Sequence, residues 1–294
     1  MSLVCRGINA GYPGAEGLVL RDVSLEVARG RVLGVAGCSG CGKTTLLRCL
    51  CGTLAPASGA VEADGFVAAV QQLPEEQIFA ATVLDEVMFG PRNQGLCDED
   101  ARDRAVWALG LLGFETTGDD ACEDEAPASG DKAHAAVLAR NPLRCSGGEK
   151  RRVAIADMVA MRPDYLLLDE PTAGLDPAQS RRLAGVVREL AVRGMGVVVV
   201  SHDMDVLANM ADDVAILAGG EVAAAGEAGD VLGDAGLLRS CGLEPSPAAD
   251  LACRLRARGI PLAAGVCTPE GLAAALATAR AASVDDPSRG GEGQ

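Results

Sequence analysis

The chain has 294 residues, of which 49% are hydrophobic, so it is long and apolar enough for one large folded domain or two smaller ones. Its formal net charge is −15 and its basic residues are not clustered, which argues against nucleic acid as a partner because phosphate backbones are bound by groups of lysines and arginines. A composition bias of the source genome is an alternative explanation of the acidity.

The sequence pattern shows no signal for export or for insertion into a membrane. The start of the chain lacks a charged and then apolar leader, and the longest aliphatic stretches have the length of strands rather than the ~20 residues that span a bilayer. We therefore expect a soluble protein, which a partner would have to hold if it works at a membrane. The 11 cysteines are then expected to be reduced thiols in the cytoplasm.

The first elements in chain order are predicted strands. Residues 3–12 and 18–30 alternate in polarity or are β-branched between glycines and prolines, which predicts an antiparallel β-region. Residues 31–37 form a short apolar strand that ends at a glycine-rich loop. The segment after this loop is predicted to be a helix that stops at Gly52.

Two later stretches, residues 164–171 and 196–203, are almost continuously aliphatic. Such runs are typical of strands that are buried on both faces of a parallel sheet. Between them, Asp176 and Pro177 are suitable as the N-cap and the first residue of a helix that ends before Gly194. The alternation of strands and helices predicts a mostly parallel α/β core.

The remaining regions differ in composition from this core. Residues 83–160 lack strong strand signals and are predicted to be largely helical. Within them, residues 118–133 are acidic and poor in large apolar side chains, so we expect a flexible insertion. Residues 226–285 have the pattern of short alanine-rich and glycine-rich helices, and residues 286–294 are expected to be a disordered tail.

The glycine-rich loop matches the phosphate-binding pattern Gly-x-x-x-x-Gly-Lys-Thr between a strand and a helix. Its backbone N–H groups would surround phosphate oxygens at a helix N-terminus, Lys43 would neutralise the β- and γ-phosphates, and Thr44 would ligate Mg²⁺. A degenerate dinucleotide fingerprint and a plain glycine turn are alternatives, and the Gly-Lys-Thr ending argues against the first. The predicted binding residues are Gly37, Cys38, Ser39, Gly40, Cys41, Gly42, Lys43, Thr44 and Thr45.

Cysteines occur in pairs in and just after this loop, Cys38 with Cys41 and Cys49 with Cys51. Close spacing of this kind also occurs in zinc and redox sites. Small buried side chains are sufficient at these positions, so we prefer packing and keep a metal or redox site as the alternative.

Two adjacent acids, Asp169 and Glu170, end the aliphatic strand of residues 164–171. A carboxylate at the tip of a buried strand can hold Mg²⁺, and its neighbour can polarise an attacking water. Adjacent acids alone are weak evidence, but together with the phosphate loop they indicate a nucleoside triphosphatase. Asp169 is the candidate metal ligand and Glu170 the candidate general base.

A second anion-binding helix start is predicted in "CSGGEKRR" (145–152), where Ser146, Gly147 and Gly148 precede a helical pattern. With this stretch the chain resembles the ATP-binding-cassette (ABC) ATPases, a family of P-loop NTPases. The resemblance implies that the stretch closes over the γ-phosphate of a nucleotide held by the opposite subunit. The family's usual leucine is replaced by Cys145, from which we expect weaker packing of this loop.

Further residues match the family motifs in order, from residue 1 to about 225, which we take as the nucleotide-binding domain. The resemblance implies that Tyr12 stacks on adenine and that Gln72 acts in the loop between subdomains as a catalytic residue and Mg²⁺ ligand. It also implies that Asp176 lies in the loop that crosses the dimer interface and that His202 contacts the γ-phosphate.

Residues 71–91 are similar to the corresponding segment of energy-coupling-factor (ECF) transporter ATPases, with Glu76 in place of that family's aspartate. In those proteins this region forms a short helix at the contact with a transmembrane coupling subunit. An ordinary exposed acidic loop is the alternative interpretation.

Two C-terminal stretches, residues 246–260 and 268–279, have helix starts at Ser-Pro and Thr-Pro. Each predicted helix is too short and too weakly apolar to be stable alone, so both should dock on another surface. In the resembling ATPases this segment helps to pair the two ATPase subunits, and packing against the same chain is the alternative.

These residues lead to the hypothesis of an ATP-hydrolysing subunit of an ECF-type uptake transporter at the cytoplasmic face of the membrane. The resemblance implies ATP and Mg²⁺ as cofactors, a second ATPase subunit, a transmembrane coupling subunit and a substrate-binding membrane subunit that recognises a vitamin or transition-metal ion. Alternatives are a conventional ABC transporter ATPase, a soluble ABC ATPase of DNA repair or translation, and a partner that binds ATP without hydrolysing it. The solute, and whether the two ATPase subunits are identical, are left open.

Overall fold

The computed structural model describes residues 1–14, 17–72, 78–114 and 138–284, with the side chains of 282–284 left out. The predicted insertion (118–133), the predicted tail (286–294) and Glu76 lie outside the described residues. No helix among the described residues is long and apolar enough to cross a bilayer.

An antiparallel sheet at the N-terminus confirms the predicted β-region. Strand β1 (Ser2–Ala10) pairs with β2 (Leu20–Ala28) on one side and with β4 (Ser58–Ala63) on the other. The sequence pattern did not predict β4, whose residues are almost all exposed and so lack an apolar alternation.

A second, six-stranded sheet forms the core, in the order β5-β6-β7-β3-β8-β9. The first five strands of this order are parallel, and β9 is antiparallel to β8 at the edge. The mostly parallel α/β core is therefore confirmed. Its strands are β3 (Val32–Ala36), β5 (Val67–Val70), β6 (Tyr165–Asp169), β7 (Gly196–Val200), β8 (Asp213–Ala218) and β9 (Glu221–Glu227).

Every residue of β3, β6 and β7 is buried because both faces of the sheet are covered. Side chains alternate between the two faces with a period of two residues. In β6, Tyr165 and Leu167 pack toward the antiparallel sheet and α1 (Lys43–Leu50), whereas Leu166 and Leu168 pack into a larger core that includes helices. The continuous aliphatic runs are explained by this two-sided burial.

Helices cover the sheet and build the rest of the chain. The described parts of residues 83–160 are helical, as predicted, and α2, α3 and α4 pack against one another. Asp176 caps α5 by accepting the N–H groups of Ala178 and Gln179, both at 2.8 Å, as predicted. The helices after α1 are α2 (Val83–Asn93), α3 (Asp98–Leu111), α4 (Gly147–Ala160), α5 (Pro177–Val192), α6 (Met204–Met210), α7 (Ala228–Leu232), α8 (Ala235–Ser240), α9 (Pro247–Ala257) and α10 (Pro269–Val284).

The C-terminal helices α9 and α10 pack against each other around a small core of their own. Leu272 is buried in this core and Leu255 packs against it. Leu251 and Leu276 are exposed. Packing within the chain therefore accounts for one face of these two helices. That the extension also helps to pair two ATPase subunits stays a prediction.

Candidate functional site

The candidate site lies at the carboxyl ends of β3, β6 and β7, which are neighbours in the parallel sheet. Parallel strands bring their carboxyl ends to one edge, where α/β proteins bind ligands. The phosphate loop, the acid pair and His202 therefore meet there in a cleft of about 420 Å³. The cleft is lined by Val19, Ser39, Gly40, Gly42, Lys43, Thr44, Thr45, Gln72, Asp169, Glu170, Ala173 and His202.

Two glycines of the phosphate loop, Gly37 and Gly42, lie where a side chain would clash. Gly42 has a φ of 110° and is the N-cap of α1, and no side chain caps this helix start. A Cβ atom on Gly42 would lie 2.7 Å from Leu20 Cδ2, and one on Gly37 would lie 2.5 Å from the carbonyl oxygen of Leu217. Because the first N–H groups of a helix lack intrahelical acceptors, the loop presents free donors to an anion.

Lys43 is held inside the curve of this loop. Its Nζ atom donates hydrogen bonds to the carbonyl oxygens of Gly37, at 2.6 Å, and Cys38, at 2.9 Å. An ammonium group beside uncapped backbone N–H groups is a donor set that fits a polyphosphate. The residues present therefore fit the phosphates of ATP.

Thr44 and Asp169 lie side by side, with Thr44 Oγ1 donating to Asp169 Oδ2 at 2.9 Å. Hydroxyl and carboxylate oxygens are the ligands that Mg²⁺ prefers, together with phosphate oxygens and water. Burial raises the pKa of Asp169, and the hydrogen bond from Thr44 opposes this shift. The pair fits a Mg²⁺ ion that is shared with a bound phosphate.

The side chain of Glu170 is oriented by the end of β7. Its Oε1 atom accepts His202 Nδ1–H at 2.7 Å and the His202 backbone N–H at 3.1 Å, and its Oε2 atom accepts the hydroxyl of Ser201 at 3.3 Å. The backbone of Glu170 is left-handed, with a φ of 48°, which costs about 1 kcal/mol or more for a residue other than glycine. The carboxylate is thus positioned for general-base chemistry.

Gln72 and Tyr12 were also predicted to act on the nucleotide held by this chain, but only Gln72 lines the cleft. Gln72 is exposed and lines the cleft beside Asp169. Tyr12 is not among the described residues that line it; its hydroxyl group bonds to Thr45 Oγ1 at 3.2 Å and accepts from Arg48 Nη1 at 3.2 Å. Stacking of Tyr12 on adenine stays a prediction, as does metal ligation by Gln72.

The second anion-binding helix start, at α4, lies away from this cleft. Ser146 caps the helix by accepting the N–H of Glu149, and Glu149 Oε2 accepts the N–H of Ser146 at 2.8 Å. This capping box lowers the pKa of Glu149. Among the described residues, the cleft lining includes neither Ser146, Gly147 and Gly148 nor Asp176. Within one chain, the structure therefore does not bring these four residues to Lys43.

Cysteines near the loop occupy different environments. Cys41 and Cys49 are buried, as expected for packing residues, whereas Cys38 is exposed and its Sγ atom lies 3.2 Å from the carbonyl oxygen of Gly242. Within the part of the chain that the structure describes, no group of three or more His, Cys, Asp and Glu residues is placed to hold a metal ion. Cys145 is buried in the core.

Comparison with known proteins decides the family. Residues 20–173 match the family model for the ABC transporter. The chain belongs to the ABC transporter family. It is an ATPase of this family, and the predicted P-loop ABC cassette fold is confirmed.

Relatives of this ABC ATPase support the ECF-type resemblance as well. It is 39% identical over 292 residues to the cobalt import ATP-binding protein CbiO of Rhodobacter capsulatus, covering 94% of this chain and 97% of the relative. It is 35% identical to the energy-coupling factor transporter ATP-binding protein EcfA of Methanothermobacter thermautotrophicus, covering 86% of this chain and 80% of that protein. The predicted membership in the ECF-type ATP-binding proteins is confirmed.

Solved structures agree with this assignment. CbiO1 from Clostridium perfringens, described as part of the ABC transporter complex CbiONQ, has a TM-score of 0.68 and 26% identity, covering 86% of this chain and 98% of its own. A dimeric ATP-binding cassette in a post-hydrolysis state bound to ADP and Pi has a TM-score of 0.64 at 24% identity, and this likeness concerns the fold alone.

Proposed function

We propose that this ABC ATPase is the ATP-hydrolysing subunit of an ECF-type uptake transporter that imports a vitamin or a transition-metal ion. The observation that carries the proposal is the single cleft that joins Lys43, Thr44, Asp169, Glu170 and His202. The names of the relatives, a cobalt importer and energy-coupling factor ATPases, favour transport over DNA repair or translation. A conventional ABC transporter ATPase is the main alternative.

The residues of the cleft divide the work of hydrolysis. The loop N–H groups and Lys43 would bind the phosphates of ATP, and Thr44, Gln72 and Asp169 would hold Mg²⁺, which neutralises charge on the phosphate oxygens. Glu170 would accept a proton from the attacking water. His202 keeps the carboxylate in place through Nδ1 and would approach the γ-phosphate with the opposite edge of its ring.

A second ATPase subunit, identical or related, would complete each site. The start of α4, with Ser146 and Gly147 exposed and Gly148 half-buried, is the predicted anion-binding terminus and lies outside its own cleft. We propose that it binds the γ-phosphate of ATP held by the opposite subunit, with Asp176 near the interface. Residues 1–225 would form the nucleotide-binding domain, and residues 226–285 an extension that contributes to pairing.

The contact with a transmembrane coupling subunit would lie at the start of α2. Phe79 and Phe89 are exposed and stack edge to face, with ring centroids 4.8 Å apart. The buried carboxylate of Glu86 fixes the turn before α2 by accepting the N–H groups of Phe79, at 3.1 Å, and Ala80, at 2.7 Å. Exposed aromatic pairs are typical of protein contacts, which supports a partner at this surface. Through that partner the chain would be held peripherally at the cytoplasmic face of the membrane.

Copurification tests this proposal. We expect the tagged chain, extracted from mildly solubilised membranes, to bring down a transmembrane coupling subunit and a small substrate-binding membrane protein, identified by mass spectrometry. Phe79→Ala with Phe89→Ala should lower the yield of the coupling subunit by about tenfold, since buried aromatic residues dominate such contacts.

A matched control for the double variant is Phe66→Ala, which removes an exposed aromatic residue before β5 and should keep the full yield. A pair of conventional permease subunits in place of the expected partners would contradict the ECF-type assignment. Recovery of the chain without any membrane protein would contradict a role in transport.

A further inference from the structure

Arg151 connects α4 to two segments of the cleft. Its side chain is buried, with the residue only 8% exposed. One guanidinium nitrogen, Nη1, donates to the backbone carbonyl oxygen of Glu170, and the other, Nη2, donates to that of Gln72 at 3.0 Å. A single planar group thus bonds to the turn that carries the candidate base and to the loop that carries the candidate metal ligand.

These two contacts act on backbone whose position matters for the cleft. The backbone of Glu170 is left-handed, its carbonyl oxygen accepts from Arg151, and its side chain reaches His202. A guanidinium has fixed fork geometry, so a displacement of its stem moves both hydrogen-bonded carbonyl groups together. Burial of the guanidinium makes loss of these bonds costly.

The same helix carries the anion-binding terminus on its exposed end. Ser146 is the N-cap of α4, and Arg151 lies about 7.5 Å further along the helix axis at about 1.5 Å per residue. In the proposed pair of cassettes, Ser146 serves the nucleotide of the opposite subunit, whereas Glu170 and Gln72 serve the nucleotide of their own. In such a pair, one helix would therefore contact one nucleotide site at its start and the other site through Arg151.

We propose that Arg151 is a positioning residue that couples the two ATP sites of the pair. When the start of α4 binds the γ-phosphate across the interface, the helix shifts as a rigid rod, and Arg151 carries this shift to Glu170 and Gln72 of its own cleft. Each site then reaches its full rate only when the other holds ATP, and an uncoupled site hydrolyses ATP about tenfold more slowly. This inference rests on the proposed function, because it requires two cassettes.

The neighbouring residue Arg152 provides a matched control. Its Nη1 atom donates to the carbonyl oxygens of Leu112, at 3.1 Å, and Gly113, at 3.4 Å, and its guanidinium lies 4.7 Å from the ring centroid of Phe114. These contacts tie α4 to the end of α3. Arg152 thus resembles Arg151 in chemistry and in its carbonyl partners, but its contacts lie within the helical region.

The test is the ATP dependence of hydrolysis by the assembled membrane complex. For two coupled sites we expect the wild-type Hill coefficient to approach about 2, and Arg151→Gln to lower it to about 1. The turnover number should fall about tenfold, while the affinity for a fluorescent ATP analogue changes less than about threefold. Arg151→Lys, which keeps the charge but loses the fork, should give intermediate values, and Arg152→Gln should keep the wild-type Hill coefficient.

Several results would overturn the coupling role. A wild-type Hill coefficient in Arg151→Gln would show that the sites communicate without this residue. If Arg151→Gln does not assemble, the same result in Arg151→Lys would show it. An equal loss of cooperativity in Arg152→Gln would show that α4 packing in general is responsible. A wild-type complex that does not hydrolyse ATP would instead contradict the proposed function, and this outcome is distinguishable from the others.

Discussion

Replacing Glu170 with glutamine is expected to lower the turnover number for ATP by at least about a hundredfold, because an amide cannot accept the proton of the attacking water. ATP binding should stay within about threefold of wild type. Glutamine has the same size: its amide oxygen can accept the two hydrogen bonds from His202, and its NH2 group can donate to the hydroxyl oxygen of Ser201. Phosphate release by the assembled complex and binding of a fluorescent ATP analogue measure the two effects separately.

Glu189→Gln is the control for this variant, because Glu189 lies on the exposed surface of α5, where it pairs with Arg193. It should hydrolyse ATP at the wild-type rate. Unchanged turnover in Glu170→Gln would mean that the site of this chain does not hydrolyse ATP in the complex. That result would favour the hypothesis of a subunit that binds ATP only structurally.

Replacing Lys43 with methionine is expected to weaken ATP binding by at least about tenfold and to abolish measurable hydrolysis. The ammonium group is the side-chain cation placed inside the phosphate loop, and methionine keeps the aliphatic length without the charge or the hydrogen bonds to Gly37 and Cys38. ADP should lose less affinity than ATP, since the predicted contact includes the γ-phosphate. Titration of both nucleotides against the purified chain measures this difference.

Arg193→Met is the matched control for Lys43→Met. It removes an exposed cation at the C-cap of α5 and should leave both nucleotide affinities unchanged. If Lys43→Met bound both ATP and ADP with the wild-type affinities, the placement of the phosphates in this loop would be contradicted.

The sequence pattern predicted the fully buried strands because burial on both faces leaves a continuous aliphatic run, but it missed β8, in which four of six residues are buried. Strands β6 and β7 were expected from such runs, and β3 from its position before the glycine loop. By contrast, β5 has only four residues, which is too short for a clear pattern. Strands β4 and β9 lie at sheet edges, and most of their residues are exposed. Their pairing is decided by the neighbouring strand, which a local pattern does not contain.

The candidate site was predictable where one motif supplies several neighbouring residues, as in the phosphate loop. The hydrogen bond from Thr44 to Asp169 joins residues 125 positions apart; the sequence indicated both residues as metal ligands but did not predict this bond, which arises because parallel strand ends meet at one edge. No pattern indicated the role of Arg151, since its two partners lie 19 and 79 positions away and are backbone carbonyl groups. Backbone acceptors carry no sequence signal, so only the structure could find them.

The central claim, that a second cassette completes each ATP site, is tested most directly by complementation between two inactive variants. Lys43→Met disables the phosphate loop but keeps the start of α4. Ser146→Arg blocks the start of α4 but keeps the phosphate loop. Mixed pairs, isolated through a different tag on each variant, contain one composite site with both defects and one with neither.

We predict that each variant alone is inactive and that the mixed pairs recover up to about half of the wild-type ATP turnover per pair, because one of the two composite sites is intact. The helical coupling proposed above would lower this fraction without removing it. Mixed pairs that stay inactive, in a preparation where the wild-type chain hydrolyses ATP, would contradict a site shared between two subunits.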